Sequence, residues 1–129
     1  MDTPENLKYT PAHVWVRAAP DGTLTVGITD HAQEELGDIV FFQAPQVGRS
    51  VAQGEECGVI ESVKTAADVH APVSGEVIAV NADTADRPER INADPYGTWL
   101  FRMKPARPAE IDALLDASSY DRLAAGAGN

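Results

Sequence analysis

Residues 58–80, GVIESVKTAADVHAPVSGEVIAV, favour three short strands joined by two turns. The alternation of apolar side chains stops at Lys64-Thr65-Ala66-Ala67 and again at Pro72-Val73-Ser74. Lys64 is therefore predicted to lie at the tip of a hairpin, where a side chain projects far from the body of the protein. If Gly75 adopts a positive φ after the second turn, a β-branched residue there would harm folding.

The strand pattern continues on both sides of this stretch. Apolar side chains alternate in Val14–Arg17 and in Leu24–Ile28, and the Asp21-Gly22 pair between them predicts a hairpin. Further strands are predicted at 39–42, 58–63, 68–71, 75–80 and 99–103. Gly, Pro, Asn or Asp occupies most of the gaps, as short antiparallel strands require. We therefore predict a mainly β protein of the sandwich or barrel type.

Two helical segments and one long loop interrupt the predicted strands. Residues 30–37 have Asp30 as a potential N-cap, Gln three residues later and a final Gly, which predicts a short connector helix. Residues 83–96 are polar, contain two prolines and follow neither period, so we expect a long loop. After Pro108, one apolar stripe predicts a helix or a pair of helices packed on the sheet: Ile111, Leu114, Leu115 and Leu123.

Length and charge limit the classes of function. A chain of 129 residues suits one domain with one core, so we expect a single domain with its core at about 7–104, a C-terminal helical segment at about 108–124 and a disordered tail at 125–129. The net charge of −10 argues against nucleic acid as a partner. The N-terminus lacks a secretory signal, and no apolar run approaches the ~18 residues of a membrane span. We expect a cytoplasmic protein with no membrane partner.

The residues most often used in catalysis form no recognisable site in the sequence. The three histidines lie far apart, in three different predicted elements, and we predict no metal site: His13, His31 and His70. Cys57 has no identifiable base, and its acidic neighbours would raise the pKa of its thiol. No nucleophile elbow, phosphate-binding loop or dinucleotide motif is present. We therefore expect no catalytic residues in this chain.

The stretch 48–80, with Glu61-Ser62-Val63-Lys64-Thr65-Ala66 and Pro72-Val73-Ser74-Gly75-Glu76-Val77 inside it, resembles the lipoyl and biotinyl carrier domains. Nearly the whole chain resembles, more closely, the H protein family of the glycine cleavage system. The Glu-Ser-Val-Lys tip differs from the Met-Lys-Met of biotin carriers and from the Asp-Lys-Ala of 2-oxo acid dehydrogenase lipoyl domains. The other matching segments are 7–10, His13, Trp15, 25–33, 36–38, 80–81, 91–96, 99–100, 114–115 and Tyr120.

This resemblance implies a fold, a cofactor and a set of site residues. The fold would be a barrel-sandwich hybrid of two small antiparallel sheets, with a short connector helix and C-terminal helices. Lys64 would carry lipoic acid in amide linkage, in a single lipoyl-carrier domain. Glu61 would contribute to recognition by the lipoylating enzyme, and Asp68 would belong to a cleft for the arm.

The resemblance also implies partners. The chain would be a non-catalytic carrier that shuttles an aminomethyl group between glycine decarboxylase, aminomethyltransferase and dihydrolipoyl dehydrogenase. Lipoate ligase, or octanoyltransferase with lipoyl synthase, would attach the cofactor.

Two positions depart from the family pattern and leave an alternative open. The family often has Ser or a similar polar residue at Ala12, and nearly always has Glu at Val14. In the family, that Glu and a residue matching Asp68 are associated with the cleft that shelters the loaded, cationic arm, and Val14 cannot pair with a cation. The alternative is an H-like lipoate-binding protein that carries sulfur intermediates for subunits of a heterodisulfide-reductase-like sulfur oxidation pathway, or a lipoyl-relay protein.

Overall fold

The protein folds into nine strands and five helices over the residues that its structure, a computed structural model, describes: the backbone of 3–127 and the side chains of 3–125. The strands are β1 Lys8–Tyr9, β2 Val14–Ala18, β3 Leu24–Ile28, β4 Ile39–Gln43, β5 Ser50–Val51, β6 Glu56–Ser62, β7 Ala66–His70, β8 Gly75–Val80 and β9 Phe101–Pro105. The helices are α1 Asp30–Leu36, α2 Ala82–Asp86, α3 Arg90–Ala93, α4 Ala109–Asp112 and α5 Ala117–Ala127.

The strands form two antiparallel sheets. The larger sheet has six strands in the order β1-β2-β3-β9-β8-β5, and the smaller has three in the order β4-β6-β7. This confirms the predicted mainly β architecture of two antiparallel sheets. The β2–β3 hairpin turns at the predicted pair, where Gly22 has φ of 89° and Asp21 Oδ1 accepts a hydrogen bond from Thr23 N.

The main core lies between the sheets, and a second apolar cluster covers the outer face of the larger sheet. Val14 and Val16 of β2 point into the main core, whereas Trp15 between them packs with Tyr9 and with Tyr120 of α5. The Tyr9 and Tyr120 rings stack with centroids 4.8 Å apart. The C-terminal segment is thus a packed cover, as predicted. Of the predicted stripe, Ile111 and Leu114 pack against the main core and Leu115 against the second cluster, whereas α5 itself buries Ala117, Tyr120 and Ala124.

Residues 83–96 are not the long loop that we predicted. Helices α2 and α3 occupy much of this segment. Asn81 Oδ1 caps α2 by accepting a hydrogen bond from Asp83 N, and Ile91 of α3 is fully buried in the main core. Helices this short have too few apolar positions to show a period, so the cap and one buried side chain are the features that define them.

Several boundaries also differ from the prediction. Thr29, not Asp30, is the N-cap of α1, because its Oγ1 accepts a hydrogen bond from Ala32 N. Strand β9 begins at Phe101 and not at Trp99. Helix α5 continues to Ala127, so the backbone of 125–127 is helical where we expected a disordered tail, and 128 and 129 lie outside the described residues.

Gly75 is required for a reason other than the one we considered. It does not have a positive φ, and it pairs with Pro105 of β9 so closely that a Cβ atom would clash with the carbonyl oxygen of Lys104.

Across the described residues, no helix combines the length and the apolar character needed to cross a membrane.

Candidate functional site

Lys64 lies at the tip of the β6–β7 hairpin, as predicted. We call residues 63–65 the lysine turn. Ser62 organises it, since its Oγ accepts hydrogen bonds from Thr65 N (3.2 Å) and Lys64 N (3.4 Å) and donates to Thr65 O (3.2 Å). Strand β6 is also the middle strand of its sheet, paired with β4 on its other edge. The backbone that presents Lys64 is therefore fixed.

The side chain of Lys64 is exposed and reaches the end of α1. A Cβ atom on Gly37 would lie 3.5 Å from Lys64 Cε and 3.9 Å from Nζ. Among the residues that the structure describes, neither a carboxylate nor another acceptor bonds Nζ. An acylating enzyme would meet a primary amine that need not first break an ion pair with this chain.

Apolar side chains are exposed beside the lysine turn. Val63 is 70% exposed, and Val40 and Phe41 of β4 are 56% and 45% exposed. Phe41 lies opposite Glu61 in the β4–β6 register, and Glu61 is itself exposed. Exposed apolar residues clustered next to a modifiable lysine are typical of a surface that other proteins contact.

A cleft of about 240 Å³ opens next to the lysine turn, between the hairpin and α1. The hairpin contributes Thr65 and Asp68, and α1 contributes Glu35. The apolar part of the lining comes from Ala12, Ile28, Ala32, Leu36, Ile60, Ala67 and Val69. The cleft is therefore mostly apolar with two carboxylates, those of Glu35 and Asp68.

Val14 does not contribute to this cleft lining. It is 1% exposed and belongs to the main core, while Ile28, its cross-strand partner, lines the cleft. The carboxylates available to a cation in the cleft are those of Glu35 and Asp68, which come from different elements.

Two histidines that are distant in sequence lie side by side next to this cleft, and one of them, His13, lines it. The rings of His13 and His31 have centroids 4.6 Å apart, and His31 Nε2 lies 2.9 Å from Glu35 Oε1. His13 Nδ1 lies 2.7 Å from the hydroxyl of Tyr120, which in turn lies 2.7 Å from Thr29 Oγ1. We did not predict this group, although the spacing of four residues between His31 and Glu35 on α1 was a signal for part of it.

Burial governs the ionisation of this group. Burial, with the nearby His31, lowers the pKa of His13, and the carboxylate of Glu35 opposes that shift. Burial also raises the pKa of Tyr120 to about 12, so its hydroxyl stays protonated as a hydrogen-bond donor. His70, the third histidine, lies elsewhere, with Nδ1 3.1 Å from the carbonyl oxygen of Gly54.

Cys57 has the properties of a core residue. It is 2% exposed, and burial raises the pKa of its thiol to about 11, with Glu55 adding to the shift and Arg49 opposing it.

A larger cavity of about 500 Å³ lies between β1, the end of β7 and the segment 113–115, and His70 is the histidine in its lining. No residue of the lysine turn lines that cavity, whereas Thr65 lines the smaller cleft, so the smaller cleft is the candidate site.

Comparison with known proteins agrees with this arrangement. A family model described as "Glycine cleavage H-protein" matches residues 7–126. The chain is similar to the glycine cleavage system H protein of Thiobacillus denitrificans (58% identity over 123 residues, 95% of each chain) and to that of Aromatoleum aromaticum (56% over 126 residues, 98% of each chain). It also resembles the crystal structure of a glycine cleavage system H protein from Mycobacterium marinum, with a TM-score of 0.85, 42% identity and coverage of 98% of this chain and 99% of that one.

Proposed function

The chain belongs to the glycine cleavage H-protein family, and on that premise we propose that it is the lipoyl carrier of a glycine cleavage system. In this proposal the chain is one carrier domain that bears lipoic acid in amide linkage on Lys64. It shuttles an aminomethyl group between glycine decarboxylase, aminomethyltransferase and dihydrolipoyl dehydrogenase, and it contributes no catalytic residue of its own.

The observation that carries the proposal is the position of Lys64. Its amine is exposed at the tip of a hairpin whose backbone is fixed by Ser62 and by pairing on both edges of β6. An arm attached there has a rigid anchor and a free end, which is what a carrier needs to reach several enzymes in turn.

The surroundings of Lys64 fit a lipoyl group. A lipoyl chain is apolar, and the adjacent cleft offers apolar walls from Leu36 and Ile60 within reach of the lysine turn. When bound, the cofactor supplies the sulfur to which the aminomethyl group is attached, a chemistry that no side chain of this protein provides. The chain's own residues anchor the arm at Lys64 and line the cleft in which it can be sheltered.

Recognition by the lipoylating enzyme would use the residues around the lysine turn. Glu61 and Val63 are exposed on either side of Ser62, and Phe41 lies across the sheet from Glu61. Lipoate ligase, or octanoyltransferase followed by lipoyl synthase, would contact this patch. The net charge of −10 favours partners with basic docking surfaces, with contacts that salt weakens and that therefore allow release.

The residue at position 14 is the observation that supports the sulfur-carrier alternative. Position 14 is a buried Val, so the cleft lacks the carboxylate that we expected of the family there. Glu35 and Asp68 still place two carboxylates around the cleft, and a cationic aminomethyl group is a suitable partner for them. The charge of the cleft therefore favours the glycine cleavage function over sulfur transport.

The first experiment tests the attachment site. Wild type and Lys64→Arg are co-expressed with a lipoate ligase, and the intact masses are measured. We expect a single lipoyl adduct on wild type, complete loss of the adduct in Lys64→Arg and unchanged thermal unfolding, because arginine keeps the charge but has no acylable amine. Lys104→Arg, at another exposed lysine, is the matched control and should be modified like wild type. An adduct on Lys64→Arg would contradict the proposal.

The second experiment tests the cargo. Lipoylated wild type is incubated with a glycine decarboxylase and glycine, and aminomethyl loading is followed by mass. We expect loading, and we expect the loaded group to be lost several-fold faster from Asp68→Asn than from Glu76→Gln, which removes an exposed carboxylate of β8 instead. A fully lipoylated wild type that accepts no aminomethyl group would reject the glycine cleavage function and favour the sulfur carrier.

A further inference from the structure

His13, His31 and Glu35 form a group of potential metal ligands beside the cleft. One ligand atom from each residue can be chosen so that all three lie within 4.8 Å of one another. The three residues come from two parts of the chain, since His13 precedes β2 and the other two lie on α1. Neither the attachment of the arm to Lys64 nor the pairing of its cargo with Glu35 and Asp68 uses the two imidazoles.

His31 supplies the clearest sign that a ligand is missing from this group. The residue is 9% exposed, and its Nε2 is buried without a hydrogen-bond partner. Glu35 Oε1 lies only 2.9 Å from Nε2, yet it does not approach in the direction that a hydrogen bond requires. A buried nitrogen without a partner is unfavourable, and a metal ion is one group that would satisfy it.

His13 is held in a way that suits a metal ligand. Its backbone has φ of 66°, and Thr10 fixes the turn, because Thr10 O accepts a hydrogen bond from His13 N and Thr10 Oγ1 accepts from Val14 N. The Nδ1 atom is engaged by the Tyr120 hydroxyl, which leaves Nε2 available. Histidines that bind metals through one nitrogen commonly have the other nitrogen fixed by an oxygen partner in this manner.

We propose that His13, His31 and Glu35 bind one divalent transition-metal ion, with Zn²⁺ as the ion of choice. Two imidazoles and a carboxylate are a common ligand set for zinc in sites with an open position. Tetrahedral bonds of about 2.0 Å place ligand atoms about 3.3 Å apart, so the widest separation in the group must shorten by up to about 1.5 Å. Glu35 can move to accommodate the ion, since its side chain is 61% exposed.

The remaining coordination position would face the cleft. His13 and Glu35 both line the cleft, so an ion bound between them is open to a water molecule or to a soft ligand such as a thiolate that enters there. The inference does not depend on the carrier function, because it concerns side chains of this chain alone.

The test measures zinc binding by the full chain with Lys64 unmodified, as checked by mass, so that no added thiol competes for the ion. Metal-free protein is titrated with Zn²⁺ by calorimetry, and Co²⁺ is used as a spectroscopic substitute. We expect one Zn²⁺ per chain and visible absorption of tetrahedral Co²⁺. Glu35→Gln and His31→Asn should each weaken Zn²⁺ binding at least about tenfold.

His70→Asn is the matched control, because it removes a histidine outside the group. It should bind Zn²⁺ like wild type. Thermal unfolding in EDTA checks that each variant is folded, and Glu35→Gln, at an exposed position, keeps the test valid if His31→Asn does not fold. The absence of saturable binding, or binding that neither Glu35→Gln nor His31→Asn weakens, would overturn the inference.

Discussion

Two turns follow each other along the chain, at 63–65 and at 72–74, and they differ in where their hydrogen-bond partners lie in the sequence. The lysine turn is organised mainly by its own neighbour, Ser62, with one longer-range bond from Val63 N to Asp38 O, and the side chain of Lys64 is exposed. In the second turn, residues 72–74, Ser74 is bonded by Gln53, by Ala106 and by Glu110 of α4. The turn that exposes Lys64 is thus fixed mostly by the residue that precedes it, whereas the turn at 72–74 is fixed mostly by distant parts of the chain.

Gly75→Val, at the end of the second turn, should give the largest effect on stability. The new side chain would clash with the backbone of Lys104 in β9, a neighbour that cannot rotate away. We expect a loss of about 3 kcal/mol or more in the free energy of unfolding, measured by urea denaturation. A β8–β9 pair that tolerates valine with wild-type stability would show that the second turn is not structurally essential.

Glu110→Ala tests the contribution of α4 to the same turn. The carboxylate of Glu110 accepts hydrogen bonds from Ser74 N at 2.8 Å and from Ser74 Oγ at 3.1 Å. Removing both bonds should lower the free energy of unfolding by about 2 kcal/mol, while the rate of lipoylation at Lys64 stays at the wild-type value. Slower lipoylation of the folded variant would mean that the two turns are coupled, and would contradict the conclusion that separate contacts fix them.

Ser62→Ala is the complementary change in the lysine turn. Loss of the Ser62 hydroxyl leaves Lys64 N and Thr65 N without their acceptor. Ser62 is buried, but Lys64 and Thr65 are exposed, so water can reach these two donors and we expect a cost of only about 1 kcal/mol. Lipoylation should nevertheless slow several-fold, because the enzyme must then order the turn itself. The comparison would fail if Ser62→Ala destabilised the protein strongly but left the modification rate unchanged.

Local patterns explain what could be predicted from the sequence. The strands predicted at Leu24–Ile28 and Gly75–Val80 match β3 and β8 residue for residue, because the apolar side chains of each alternate over several positions. The lysine turn was equally visible as a break in that alternation. Strands β1 and β5 were missed because two residues cannot show a period.

The parts that could not be predicted depend on distant contacts. Ile91 has few apolar neighbours in sequence, and only the folded chain shows that it reaches the main core. His13 and His31 are brought together by the β2–β3 hairpin and the start of α1, an arrangement that no spacing rule contains. The depth of Val14 in the core likewise follows from the packing of both sheets.

The hydroxyl of Tyr120 connects α5, the last helix, to the cleft. It contacts both Thr29, the cap of α1, and His13, so α5 is fastened to a wall of the cleft that it does not itself line. Trimming by a protease, or a fusion that pulls the C-terminus away, would thus loosen this wall of the cleft while leaving the lysine turn intact. For anyone engineering this protein, the C-terminal end is the wrong place for a tag.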